Sequence, residues 1–187
     1  MTVLHIGALL ERPPGPKYLE RLAFAEIAPP APLPKVATLA RWRESLPSGF
    51  VCALVAPAAV LASERGLMRL DDELREGIDW LRRAVEAVGA RAVVLPTGSH
   101  LTTGQRDRDV LTAYVEELDL VGSGCEVVWA PDGLWEPEDA IPFARKLGLR
   151  WKRFRKKKKP DPDPQRVKFA QPDRDVIRSL PQLDLAS

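Results

Sequence analysis

Residues 24–57 read FAEIAPPAPLPKVATLARWRESLPSGFVCALVAP, and they hold one complete copy of the pattern that organises the chain. The run LAFAEI at 22–27 is apolar except for Glu26. Pro29 and Pro30 end it, because proline cannot donate to a central ladder. An irregular proline-rich loop leads to VATLARWRESL, where Val36, Leu39, Trp42 and Leu46 fall on one helical face. Ser48-Gly49 closes that helix. FVCALVAP at 50–57 is a continuous apolar run between turn signals, the mark of a strand buried on both faces.

The same unit recurs on both sides. Upstream, Thr2 to Ile6 is a first strand, RPPGP a turn, and Lys17 to Leu22 a short amphipathic helix. Downstream, Leu74, Ile78, Leu81, Val85 and Val88 repeat at spacings of three and four. Asp71 or Asp72 can cap the start of that helix and Gly89 its end. ARAVVLP is the next strand, 97–105 a polar loop, and 107–118 a helix with Val110, Leu111, Tyr114, Val115 and Leu118 inward. CEVVWAP is a strand, EPEDAIPFARKLG a helix, and LRWKRFR a final strand. About six strand–helix units follow one another, which predicts parallel strands joined by right-handed crossovers, in a doubly wound sheet or a barrel. No GxGxxG follows the first strand, so the dinucleotide-binding form of the sheet lacks its signature.

Composition agrees with a globular chain. Of 187 residues, 45% are hydrophobic and 29% charged, enough to bury a core without disulfides. The formal charge of +2 is too small to demand a polyanionic partner, so any such argument rests on a local patch. Cys52 and Cys125 lie in separate apolar segments and read as buried free thiols. MTVLHIGALLE has no basic leader region, and no apolar run approaches the roughly 20 residues that span a bilayer. A cytoplasmic location, with no membrane partner, is expected. The barrel unit is expected over 1–155. KKKKPDPDP marks a basic, Pro-Asp linker at 156–165, and a strand and helix tail follows at 166–187.

The order of segments resembles the YecE-like family, domain of unknown function 72. Glu26 matches the acid of that family's second strand, Pro34 its loop proline, and Trp42 the tryptophan of the following helix. Pro47, Phe50 and Pro57 match the frame of its third strand, Leu95-Pro96 a later strand end, and Trp135 a further tryptophan. The resemblance implies a TIM-barrel-like fold, here an incomplete barrel of about six parallel strands with crossover helices. Apart from Glu26, almost none of the family's polar positions is kept. Ala28, Val55, Val94, Trp129 and Pro131 stand where its pattern carries Asn, Lys, Gln, Glu and Arg. The family's Gly-Trp after strand one is missing from HIGALLE, so what the chain resembles is a degenerate or truncated member of the family.

Candidate chemistry is therefore sparse. Glu26 would sit at the end of strand two, facing the barrel mouth where such folds place catalytic groups. Its bland counterpart is a carboxylate held by the backbone or a basic side chain. His5 and His100 are the two histidines. With Glu26 and Asp132 they could converge, but no metal-ligand spacing supports it, so no metal and no cofactor are expected. There is no nucleophile elbow, and neither cysteine has a basic neighbour. Glu26 and His100 are the best catalytic candidates.

The basic run RWKRFRKKKK is the sharpest local anomaly. Arg150, Lys152, Arg153, Arg155, Lys156, Lys157, Lys158 and Lys159 could grip phosphates, with Trp151 and Phe154 stacking on bases. As a strand followed by a solvated loop it needs no ligand. An open barrel also leaves unpaired edges for the tail, a protein partner or a second copy to cover. Three functions follow: a non-catalytic interaction or assembly subunit, a hydrolase or lyase acting on a phosphorylated or nucleic-acid substrate at the mouth, and an anion or nucleic-acid binder.

Overall fold

Strand order separates the two architectures that an alternating pattern allows. A computed structural model describes residues 6–152. In chain order its elements are β1 (Gly7–Leu10), α1 (Pro16–Leu19), β2 (Phe24–Ile27), α2 (Val36–Glu44), β3 (Val51–Val55), α3 (Ala58–Leu61), β4 (Ala62–Ser63), β5 (Gly66–Leu67), α4 (Asp72–Val88), β6 (Ala92–Gly98), α5 (Gln105–Leu118), β7 (Glu126–Pro131), α6 (Pro137–Lys146) and β8 (Arg150–Trp151). Six strands form one sheet in the order β1-β2-β3-β6-β7-β8, each pair parallel. The order never reverses, so there is no switch point of the doubly wound kind. Every crossover steps the same way, which is barrel winding. The described sheet does not close: β1 and β8 are its two edges.

Residues paired in register share a face of a parallel sheet, and alternate residues along a strand face opposite ways. Ala25, Ile27, Cys52, Leu54, Val93, Leu95, Val127 and Trp129 form the face beneath the helices, and all are buried. The helices meet them with Leu39, Leu74, Ile78, Leu81, Val85, Leu111, Tyr114 and Phe143 in one continuous core. At about 25 cal/mol per Å2 of apolar surface removed from water, such a layer is the dominant stabilising term.

Local chemistry sets the element ends. Asp71 accepts a 2.8 Å hydrogen bond from Leu74 N–H at the start of α4, and Gly89 ends that helix with φ 63°, where a side chain would be strained. Asp72 and Glu73 lie in its first turn, the favourable end of the helix dipole for acids.

Three sequence expectations shift. The first strand is Gly7–Leu10, and Ile6 precedes it; residues 2–5 of the expected strand lie outside the described residues. A Cβ on Gly7 would collide with Phe24 O, so the backbones approach where glycine allows it. The short helix covers only Pro16–Leu19. The segment between β3 and α4 carries α3 and the two-residue strands of the β4–β5 hairpin, too short to leave a periodic signal. The linker at 156–165 and the tail at 166–187 lie outside the described residues.

Candidate functional site

The face turned away from the helices carries the chemistry that a barrel of this kind would enclose. Register places Leu9, Glu26, Ala53, Ala92 and Glu126 along one row, and Val55, Val94, Val128 and Arg150 along the next. Lys152 continues the side of Arg150, its N–H donating 2.9 Å to Trp129 O. Small and apolar side chains form the floor, and the charges stand at its margins.

Those charges are paired. Lys152 Nζ donates to Glu26 Oε1, joining the second strand to the residue after the last described one. Arg150 lies 3.5 Å from Glu126 across neighbouring strands. The first pair reports curvature. From β2 to β8 a flat sheet would span roughly 19 Å, four steps of about 4.8 Å. Two side chains cannot bridge that, so the sheet is curled into an arc. Glu26, singled out in the sequence as a lone acid, has its partner 126 residues away.

His100 occupies a different place. It is exposed on the loop after β6 and lines a groove with Arg65, Arg69, Leu101 and Asp107. Glu26 is not part of that groove. The structure therefore does not bring the two catalytic candidates together. His5 lies outside the described residues, as do Arg153, Arg155, Lys156, Lys157, Lys158 and Lys159. Among the described residues no group of three or more His, Cys, Asp or Glu side chains converges as a metal site would require.

The positions that depart from the family pattern divide between the two faces. Val55 and Val94 belong to the inner rows. Trp129 does not: it is fully buried on the helix side. There its ring meets Trp135 edge-on at 4.8 Å and Phe143 at 5.9 Å. Its indole N–H donates 3.0 Å to Thr97 Oγ1, and Trp135 donates 3.0 Å to Leu101 O. Arg108 lies 4.8 Å above the Trp135 ring and 4.9 Å above Phe143, a cation–π cap on the cluster. These tryptophans organise packing between β7, α6 and the β6–α5 loop.

Asp132, just past β7, accepts from Gly133 N–H at 2.8 Å. Cys52 is buried, and burial pushes its thiol above the ordinary range despite Arg43. Cys125 is half-buried and also raised, by burial first and then by Glu126. Thiolate is the nucleophilic form, so neither thiol is activated. What sequence reading missed is the pair Arg65 and Arg69, whose neighbourhood to His100 follows from the hairpin's packing rather than from any motif.

No family model and no curated protein sequence matches the chain. Solved structures share its fold, among them these two. A DUF72 family protein from Enterococcus faecalis aligns with TM-score 0.53 and 12% identity, over 79% of this chain and 62% of that one. A xylose isomerase domain protein from Planctomyces limnophilus aligns with TM-score 0.52 and 11% identity, over 76% of this chain and 57% of that one. The chain spans about three fifths of the length of either structure. At such identities the likeness is one of fold, and it falls on the family that the residues resemble. The chain has the TIM-barrel-like fold of a DUF72 family protein, present among the described residues as an open six-stranded arc.

Proposed function

We propose that this chain is a non-catalytic subunit that works by binding another protein chain or a second copy of itself. The observation that carries this reading is the pairing of the inner-face charges. Glu26 is engaged by Lys152 and Glu126 by Arg150, while Ala53, Val55, Ala92, Val94, Val128 and Ala130 fill the rest of that surface. A hydrolase or lyase at the barrel mouth needs an acid or base held ready for substrate. Here the one sequence candidate on that face is held against Lys152 rather than presented alone to a substrate. The same pairing engages the two described members of the basic run.

The edge strand supports binding of a partner. Ile6 is 67% and Leu9 63% exposed, beside a strand with one neighbour only among the described residues. A strand with one neighbour is a template for further strand pairing, although the Ala8 N–H of this edge already donates 2.8 Å to the Tyr18 hydroxyl. A cytoplasmic location belongs to the same reading, since both cysteines are free and no helix of the described residues is long and apolar enough to cross a membrane.

Sedimentation of the purified chain, alone and with captured partners, tests the proposal. Leu9→Lys should weaken the association, leaving the fold intact by circular dichroism. Any turnover that Glu26→Gln abolishes would overturn it.

A further inference from the structure

We propose that the groove between the β4–β5 hairpin and α5 binds a small ligand carrying a phosphate or carboxylate on an apolar body. Arg65 and Arg69 stand between two adjoining cavities of about 530 and 490 Å3, both lined by these two arginines and by Val110. Met68 adds an apolar wall to the first, Leu67 and Leu101 to the second, and His100 borders the second beside the arginines.

The arginines are available. Arg65 is exposed and Arg69 half-buried. Among the described residues neither guanidinium enters an ion pair or donates a hydrogen bond. The nearby acids are already engaged. Asp71 accepts from Ser63 Oγ and Leu74 N–H, and Asp107 accepts at 2.7 Å from both the N–H and the hydroxyl of Thr102. Arg65 feels Asp71, and Arg69 feels Asp107, only at longer range. Two guanidinium forks that make no hydrogen bond or close ion pair among the described residues, set against apolar walls, suit a planar carboxylate or a phosphate in bidentate contact. Partly desolvated walls strengthen that contact beyond its value in open water. The apolar part of the ligand would lie on Leu67, Leu101 and Val110. This inference rests on different residues from the inner-face reading and stands or falls separately.

Phenyl phosphate and benzoate, titrated into the full-length chain and followed by backbone and arginine side-chain NMR, test it. One or both should shift signals of Arg65, Arg69, Leu101 and Val110 with saturation, and which probe binds tighter assigns the anion. Arg65→Gln combined with Arg69→Gln should weaken that binding at least about tenfold, the loss of one or more charge-assisted hydrogen bonds. Arg69→Lys should weaken it less. Should the double variant not fold, Arg65→Gln alone, at an exposed position, gives the reading. Lys152→Gln should leave affinity unchanged. No localised, saturating shift with either probe up to about 10 mM overturns the proposal. So does binding that Lys152→Gln weakens and the arginine variants leave intact.

Discussion

Lys152 and Glu26 meet across the inner face of the sheet, 126 residues apart in the chain and four strands apart in the fold. The contact ties the last described strand to the second, on the side where a closed barrel would be filled. Because the pair is partly exposed, solvent and salt screen it, and its energetic weight is small. Its information is geometric: it fixes how far the arc curls.

A double-mutant cycle with Glu26→Gln and Lys152→Gln should give a coupling of about 0.2–1 kcal/mol in urea unfolding. Raising the salt concentration should shrink it. A coupling of zero at low salt would show that the contact adds nothing to stability.

Thr97→Val is the sharper probe of the packed side. Thr97 is 1% exposed and receives the indole N–H of Trp129, itself fully buried. Valine keeps the shape and removes the acceptor, leaving a buried donor unmet. That should cost about 1–3 kcal/mol in unfolding free energy. In a Trp129→Phe background, where the donor is gone, the same change should cost much less. Equal costs in the two backgrounds would show that the hydrogen bond contributes nothing.

These two contacts also mark what could be read from the chain. The helix at 72–88 was legible because stripe and caps agree: Leu74, Ile78, Leu81, Val85 and Val88 face the sheet, Asp71 caps and Gly89 stops. Strands β2, β3, β6 and β7 were legible as apolar runs between turns. Their facing was not, because strands covered on one side and curled on the other lose the alternation that would tell the faces apart. Trp129 illustrates this. Family spacing set it where a polar mouth residue stands, and the pleat turns it under α6. The Glu26–Lys152 contact and the Arg65–Arg69–His100 neighbourhood depend on curvature and hairpin docking, and neither leaves a local pattern.

Acid unfolding offers the last test. Asp71 is held below the ordinary carboxylate range by the Ser63 hydroxyl first and then by Leu74 N–H. Asp107 is lowered by the backbone N–H and then the hydroxyl of Thr102. A carboxyl whose pKa is lower in the folded state binds protons more readily when unfolded, so falling pH favours unfolding. The stabilisation is complete above the unfolded value, near about 4, and is lost as pH falls through the lower folded values. Asparagine at either position still accepts the backbone N–H and cannot ionise, and it is a good helix cap at 71. Asp71→Asn combined with Asp107→Asn should therefore flatten the fall in melting temperature below about pH 4, with a smaller change at neutral pH. A double variant that melts with the parent's full acid dependence would show that other carboxylates carry it.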